Sequence, residues 1–207
     1  MDILVVTIVG YLLGAIPFAV IVSRANGVDI LKVGSGNPGA TNVKRMVGKK
    51  AGNLVFFLDV LKGFIATVFP LTLLWFMPFD REEALTLLQI LGLVAAILGH
   101  SYSVFLGWRG GKGVAVAIGG LSALIPMSLL IGLLVWVLAF GISRYVSLAS
   151  ILFALSLPVS TWFLSYPEDP ALFYLALVLG IVIVLRHHSN IRNLMKGHEY
   201  RFGPPEK

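Results

Sequence analysis

The chain has 207 residues, of which 57% are hydrophobic and 13% charged, and its formal net charge is +6 at pH 7. About a quarter of the residues of a soluble domain are charged, so this composition excludes a soluble protein and indicates an integral membrane protein. The absence of cysteine excludes disulfides, thiolate metal sites and a cysteine nucleophile. Anionic headgroups or anionic substrates explain the positive charge better than nucleic acid does.

Apolar runs alternate with polar segments, and the charge of those segments predicts the topology. The runs cover about 3–23, 52–77, 84–106, 114–142, 146–165 and 171–185. The first begins after Asp2 without a basic region, which is typical of a first span and not of a cleaved signal. The basic segment 24–51 is expected in the cytoplasm by the positive-inside rule. The acidic turn around 78–83 is expected outside, which places the N-terminus outside as well.

The run 114–142 is predicted to cross the membrane twice. One helix of its 29 residues would be about 44 Å long, against a hydrocarbon core of about 30 Å, and Pro126 offers a place to fold back. The basic turn at Arg144 is expected inside and the acidic turn 166–170 outside. The basic C-terminal segment is expected in the cytoplasm.

We therefore predict an all-α integral membrane protein with a single polytopic domain over residues 1–207. It has seven transmembrane helices, the N-terminus outside and the C-terminus in the cytoplasm. The alternative is five spans, with one of the short segments lying in the membrane interface. Three cytoplasmic segments, at about 24–51, 99–113 and 186–207, carry polar motifs.

The first motif is GSGNPGATN, residues 34–42. Its glycines and proline favour tight turns, and its short polar side chains can either cap a helix or hold an oxyanion. A helix is predicted to begin near Thr41, and Arg45 lies one turn further along it. Arg45 is either an anion ligand or one of the positive charges expected on the cytoplasmic side. From this motif the substrate-binding candidates are Gly36, Asn37, Thr41 and Asn42.

The second motif is GHSYSVFLGWRGGKG, residues 99–113. Its glycines leave backbone N–H groups unshielded, and Arg109 and Lys112 add positive charge, a combination that suits a phosphate. A helix opening at Lys112 and Gly113 would direct its N-terminal amides at the same anion. Gly113 stands where a Walker motif needs Ser or Thr, so an NTPase is not expected. The alternative is a flexible turn beside the membrane.

The third motif is RHHSN, residues 186–190. His187 and Asn190 are three residues apart, so on a helix they project from one face and can bind one ligand together. The alternative is that His187 is an ordinary polar residue at a membrane boundary. The histidines lack matching acidic partners at ligand spacing, so we predict neither a metal nor another cofactor.

Asp59 and Lys62 lie inside the second apolar run. Two ionisable groups three residues apart share a helix face and can pair, which lowers their cost in a membrane. The favoured interpretation is an ion pair that locks helices together. The alternative is that Lys62 helps to draw anions to the site.

The chain carries, in order, GSGNPGATN followed by Arg45, then GHSYSVFLGWRGGKGVAV, then RHHSNI followed by KGHE. With these three motifs it resembles the bacterial acyl-phosphate:glycerol-3-phosphate acyltransferase family, the PlsY family, over nearly its whole length. The resemblance implies transfer of a fatty acyl group from acyl phosphate to the sn-1 hydroxyl of glycerol 3-phosphate. The products are lysophosphatidic acid and phosphate, in the first acylation step of phospholipid synthesis. It further implies a multi-pass protein of the bacterial inner membrane, an active site facing the cytoplasm, and a functional link to the enzyme that forms acyl phosphate.

The resemblance also implies roles for individual residues. By it, Ser35 and Arg45 are an activity-critical pair, Gly107, Gly110, Gly111, Lys112 and Gly113 form the glycerol-phosphate loop, His187 and Asn190 act in the third motif, and Glu199 has structural importance. The chain departs from the family, which often has Pro where Ser103 stands, Phe-Lys where Trp108 and Arg109 stand, and Arg where His188 stands. These departures leave open the backbone conformation near Ser103.

The chemistry of these residues fits such a reaction. An acyl phosphate is already activated, so the enzyme mainly has to position two anions and stabilise the departing phosphate. Ser35 either forms an acyl-enzyme or donates its hydroxyl to phosphate, and the absence of Ser-His-Asp spacing favours the second role. His187 either acts as general base or only orients the acceptor while the donor's phosphate takes the proton. We favour the second, substrate-assisted route on the resemblance.

Two other classes of protein compete with the enzyme. A transporter for a phosphorylated solute would share the glycine breaks near an anion site, but it often carries an inverted repeat, and the sequence shows no convincing one. A structural membrane protein would leave three phosphate-suited motifs unexplained.

Overall fold

The computed structural model describes residues 2–73, 82–166 and 168–203, and the regular structure in these ranges is helical. A short 3-10 helix covers Val104–Leu106. The α-helices are α1 Asp2–Ala15, α2 Phe18–Ala25, α3 Ala40–Met46, α4 Lys49–Leu73, α5 Glu82–Ser101, α6 Val114–Leu124, α7 Pro126–Ser143, α8 Val146–Ser165, α9 Pro170–Arg186 and α10 His188–Met195. The prediction of an all-helical protein is confirmed.

Several of these helices are long and apolar enough to cross a membrane. Within the described ranges, five stretches meet this condition alone: Asp2–Ala25, Lys49–Leu73, Ala84–Ser101, Pro126–Ser143 and Val146–Ser165. A sixth, α9, meets it together with α10, and the two are bent by 56°. The multi-pass prediction is thus confirmed. The count of seven crossings stays a prediction, because the 11 residues of α6 reach only about 16 Å.

The helix boundaries confirm some predicted breaks and correct others. The run 114–142 is interrupted at Ile125, and Pro126 begins α7, as the sequence predicts. The first run is broken at Pro17, which separates α1 from α2. The third apolar run extends to about residue 106, but α5 ends at Ser101, inside the loop motif 99–113. Apart from the start of α5, the acidic turn predicted around 78–83 lies outside the described residues.

The chain divides into two compact units, residues 1–124 and 125–207. In the first unit α1 packs along α5, and α4 packs against α5 and α6. The approach of α4 and α6 is very close: a methyl group added to Gly63 would overlap the carbonyl oxygen of Val116, and one added to Gly119 would overlap that of Val60. Small residues at such crossings let helix backbones meet, as they do in many membrane proteins.

A small apolar core in the first unit holds the first motif. Its fully buried members are Ile30 before the motif, Val43 on α3 and Val55 on α4, joined by residues of α2. Burying these side chains ties α3 to the two neighbouring helices. The glycine-rich turn between Ile30 and Val43 is therefore held at both ends.

In the second unit α8 packs against both α7 and α9. The Asp169 side chain caps α9 by accepting a hydrogen bond of 3.1 Å from the Ala171 N–H. The tail after α10 folds back, because the Phe202 N–H donates to the Arg144 carbonyl at 2.9 Å and the Phe202 ring packs edge-on against Phe140. This return brings the tail to the beginning of α8. The single domain expected over the whole chain stays a prediction.

Candidate active site

Asn42 organises the loop of the first motif. Its side chain is 2% exposed, and its Oδ1 accepts a hydrogen bond of 3.1 Å from the Ser35 N–H. Its Nδ2 donates to the carbonyls of Val33 at 3.1 Å and Ile30 at 3.4 Å. Helix α3 begins after Gly39 without a side-chain cap, so the alternative that Thr41 or Asn42 caps this helix does not hold. Asn42 instead shapes the turn, and Thr41 lies half-buried on α3.

The turn that Asn42 holds presents Ser35 at the surface. Ser35 is exposed, and its Oγ accepts a hydrogen bond of 3.4 Å from the Asn37 N–H. A hydroxyl that accepts one bond still has a proton to donate, so this geometry is compatible with donation to a phosphate. Gly34 has a φ of +60° and Gly36 a φ of +67°, values that favour glycine. Arg45 lies half-buried on α3, one turn beyond Thr41.

The loop of the second motif is a folded structure that begins after Ser101. The Ser103 N–H donates to the Arg109 carbonyl at 3.1 Å, and the Trp108 N–H donates to the Ser103 carbonyl at 2.9 Å. Gly107 and Trp108 both have left-handed backbones, with φ of +60° and +63°. The loop therefore has a defined backbone shape. Phosphate binding and the alternative of a flexible turn beside the membrane both stay predictions. Helix α6 begins at Val114, one residue beyond the predicted start.

The last part of this loop packs against His100 and is hydrogen-bonded to it. The Gly111 N–H donates to the His100 carbonyl at 3.0 Å, so this amide is bonded within the protein. A methyl group added to Gly110 would overlap the same carbonyl, and one added to Gly111 would overlap the His100 ring. Close packing is thus one reason for glycine at these positions, beside the phosphate binding that the sequence suggests. Lys112 follows directly and is half-buried.

Beneath the loop, Asp59, Lys62 and His100 form a buried cluster. Lys62 Nζ lies 2.8 Å from Asp59 Oδ1, and both side chains are 3% exposed, which confirms the predicted ion pair. Lys62 Nζ also lies 3.0 Å from His100 Nδ1 and donates to the Ile16 carbonyl at 2.9 Å. The Lys62 ammonium group is thus engaged by the ion pair with Asp59 and by its contacts with Ile16 and His100. The structure therefore favours the locking role of Lys62 over capture of anions.

The same cluster explains the broken first span. The last carbonyl groups of α1 lack the partners that a continuing helix would give them, because α1 ends at Ala15 and α2 begins only at Phe18. Lys62 binds the carbonyl of Ile16, and the Ser103 hydroxyl donates to that of Ala15 at 2.7 Å. The serine at position 103, a departure from the family pattern, thus has a structural role.

A small pocket lies beside this cluster and is lined by residues that include Pro38, Lys62, His100, Gly110 and Gly111. The first two motifs share this pocket.

The third motif lies in the second unit, at the bend between α9 and α10. His187 lies at this bend, between the end of α9 and the start of α10, so the premise that it shares a helix with Asn190 is wrong. Binding of one ligand by both residues stays a prediction. His187 is 3% exposed, and its Nδ1 lies 2.7 Å from the Ile183 carbonyl. A carbonyl only accepts, so Nδ1 carries the proton and, in the neutral ring, Nε2 is the accepting nitrogen. That tautomer suits a group that receives a proton or a hydroxyl hydrogen bond.

Glu199 joins the third motif to the beginning of α8. Its Oε1 accepts hydrogen bonds from Asn190 Nδ2 at 2.7 Å and from Ser147 Oγ at 2.8 Å. This geometry is consistent with the structural importance that the resemblance implies for Glu199. Asn190 is held from one side by this carboxylate.

Spacing along the sequence does not reveal His100 as a site residue. It lies in the second motif and has two ionisable neighbours, but they are about 40 positions earlier in the chain. Among the described residues, no three His, Asp or Glu side chains form a group suited to a metal ion. The predicted absence of a metal and of other cofactors stays a prediction, as do the roles of the individual site residues.

Fold and motifs together define a multi-pass, all-helical membrane protein in which two glycine-rich loops line a shared pocket. Residues 4–197 match the family model described as glycerol-3-phosphate acyltransferase. The chain belongs to this family, as the resemblance predicted, and the family is one of membrane acyltransferases of phospholipid synthesis.

Individual relatives agree with the family match over nearly the whole chain. The glycerol-3-phosphate acyltransferase of Aquifex aeolicus is 44% identical over 202 residues, covering 98% of this chain and 100% of the relative. That of Endomicrobium trichonymphae is 43% identical, covering 93% and 92%.

Solved structures agree as well. The chain is similar to a crystal structure of PlsY (YgiH), an integral membrane glycerol 3-phosphate acyltransferase, in its glycerol 3-phosphate form. The TM-score is 0.85 at 43% identity, covering 98% of this chain and 96% of that one. The lysophosphatidic acid form of PlsY matches with a TM-score of 0.83 at 42% identity and the same coverage.

Proposed function

We propose that this protein transfers a fatty acyl group from acyl phosphate to the sn-1 hydroxyl of glycerol 3-phosphate, giving lysophosphatidic acid and phosphate. The observation that carries the proposal is the full-length similarity to PlsY in forms named for glycerol 3-phosphate and for lysophosphatidic acid. These two molecules are the acceptor and the product of the proposed reaction. The resemblance of the three motifs to the acyl-phosphate:glycerol-3-phosphate acyltransferase family supports acyl phosphate as the donor.

In the proposed reaction the sn-1 oxygen attacks the acyl carbonyl carbon, and the bond from that carbon to the phosphate oxygen breaks. The hydroxyl proton passes to the departing phosphate, so the atoms balance without a further co-reactant. This substrate-assisted route needs groups that hold anions in place more than it needs a strong base. His187 as general base is the alternative, and the tautomer set by Ile183 is compatible with both routes.

The residue roles follow the chemistry of each group. Arg45 and Lys112 supply positive charge for the phosphates, and Ser35 donates its hydroxyl. His187 and Asn190 orient the acceptor. Asn42 acts indirectly, because its side-chain amide is bonded to backbone groups of the first motif. Gly36, Asn37 and Thr41 complete the first motif, while Gly107, Gly110, Gly111 and Gly113 form the second loop.

We further propose seven crossings, with the N-terminus outside and the motifs in the cytoplasm of a bacterium. The break at Ile125 and the separate helices on either side of it support a double crossing by 114–142. The protein then receives acyl phosphate from the enzyme that forms it and works in contact with membrane lipids, without nucleic acid.

The test is release of inorganic phosphate by the purified protein in detergent, given palmitoyl phosphate with and without glycerol 3-phosphate and no added metal. The expected result is release that depends on glycerol 3-phosphate and yields lysophosphatidic acid. Release without the acceptor would favour an acyl-serine route through Ser35. No release in either case would contradict the proposal and favour a transporter, which uptake of phosphorylated solutes into sealed vesicles would detect.

A further inference from the structure

We propose that His100 is a positioning residue for glycerol 3-phosphate: Lys62 fixes the orientation of its ring, and the ring supports the backbone at Gly111 that leads into Lys112. The inference rests on the proposed function, since it concerns the loop assigned to glycerol 3-phosphate. The buried Asp59–Lys62–His100 cluster then serves to fix the shape of an anion-binding loop.

The first step is the position of the Lys62 ammonium group. It lies between the Asp59 carboxylate at 2.8 Å, the Ile16 carbonyl at 2.9 Å and His100 Nδ1 at 3.0 Å. These acceptors come from two helices and from the break after α1. Because these three groups hold it, Lys62 has one defined position, and the charge of Asp59 balances its own.

The second step is the state of the His100 ring. An ammonium group only donates, so His100 Nδ1 is the acceptor in its contact with Lys62. In the neutral imidazole the proton then lies on Nε2. Asp59 Oδ1 lies 3.7 Å from the same Nδ1, beyond hydrogen-bond distance, so Lys62 is the group that orients the ring.

The third step is the contact between this ring and the glycine loop. A methyl group added to Gly111 would overlap His100 Nε2 and would come within 2.8 Å of Cε1. The ring therefore lies directly against the open face of Gly111. The His100 backbone holds the same residue from the other direction, because its carbonyl accepts the Gly111 N–H at 3.0 Å.

The loop is thus held through both the main chain and the side chain of His100. Lys112 is the next residue, and the helix begins two residues after it. A change in the position of Gly111 therefore moves the attachment point of the Lys112 side chain, which by the resemblance belongs to the glycerol-phosphate loop. The acyl donor depends less on this loop, so the effect is expected on one substrate.

A double-mutant cycle tests this arrangement. The variants are Gly111→Ala, His100→Ala and the double variant, and the measurements are the KM for each substrate and kcat. In each single variant we expect a rise of about tenfold in the KM for glycerol 3-phosphate. In the double variant the added methyl group no longer meets a ring, so the KM should stay near that of His100→Ala. If the rises in KM of the two single variants multiplied in the double variant, His100 and Gly111 would act independently, and the proposal would be wrong.

A second pair of variants separates positioning from general stability. His100→Asn keeps a polar atom near the place of Nδ1 that can accept from Lys62, so we expect it to recover part of the KM lost in His100→Ala. Thr67→Val on α4 is the matched control, since Thr67 is fully buried and donates only within its helix, to the Gly63 carbonyl. It should lower the thermal unfolding midpoint without changing the KM. A fall in midpoint with an unchanged KM in the His100 variants would overturn the proposal.

Direct binding distinguishes this inference from the proposed function. Stabilisation of the purified variants by glycerol 3-phosphate, measured by thermal unfolding without an acyl donor, reports on binding of the acceptor separately from the acyl transfer. Loss of that stabilisation in His100→Ala, with its retention in Thr67→Val, supports the inference even if acyl phosphate proves not to be the donor. Equal stabilisation of the wild-type protein and His100→Ala would overturn it.

Discussion

The side-chain amide of Asn190 donates a hydrogen bond of 2.7 Å to Glu199 Oε1, which links α10 to the tail that follows it. The same oxygen accepts from Ser147 at the beginning of α8. One carboxylate therefore holds a residue of the third motif against a helix more than 40 positions earlier in the chain. Charge-assisted hydrogen bonds of this kind are stronger than neutral ones.

Glu199→Ala is expected to lower stability by about 2 kcal/mol, because two donors lose a charged acceptor. Glu199→Gln should cost less, since its carbonyl oxygen can still accept. Thermal unfolding in detergent measures both, and Glu168→Ala is the control because Glu168 is exposed. An unchanged midpoint in Glu199→Ala would show that these bonds do not hold the tail.

Arg45→Ala is expected to abolish nearly all activity while leaving the fold intact, because a charge that holds a phosphate is lost. The assay is phosphate release from palmitoyl phosphate in the presence of glycerol 3-phosphate. Lys50→Ala is the matched control, since Lys50 is an exposed basic residue close by in the sequence. Substantial activity in Arg45→Ala would remove Arg45 from the site.

Asn42→Ala is expected to reduce both stability and activity. It leaves the Ser35 N–H and the Val33 carbonyl without their buried partner, at a cost of about 2 kcal/mol. Ser35 also loses the group that fixes its backbone. Unfolding and turnover are measured side by side, with Asn53→Ala as control because Asn53 is exposed. If turnover of the folded variant matched the wild type, the positioning role of Asn42 would be wrong.

Lys62→Met is expected to be more damaging than the double variant Asp59→Asn with Lys62→Met. The single change leaves a buried carboxylate without its cation, which typically costs about 3–5 kcal/mol. The double change removes both charges. Expression level and thermal unfolding in detergent report the difference. A double variant less stable than the single one would contradict the ion pair as the reason.

Much of this protein is predictable from local properties of the sequence. The excess of apolar residues determines the membrane class, since a chain with so few charges cannot cover a soluble surface. Proline and glycine mark breaks that depend only on neighbouring backbone, as at Pro126. The three motifs and their chemistry are also local, which is why they were sufficient to predict the family.

The tertiary structure decided which side chains meet. His100 contacts Lys62 across 38 positions, and Lys62 contacts the Ile16 carbonyl across 46, because helix packing brings α1, α4 and α5 together. Sequence spacing predicts contacts within a helix, such as Asp59 with Lys62, but not these. Nor does it reveal that Asn42 and Gly111 are bonded inside the protein. Those bonds depend on how the chain folds back on itself, which no local pattern specifies.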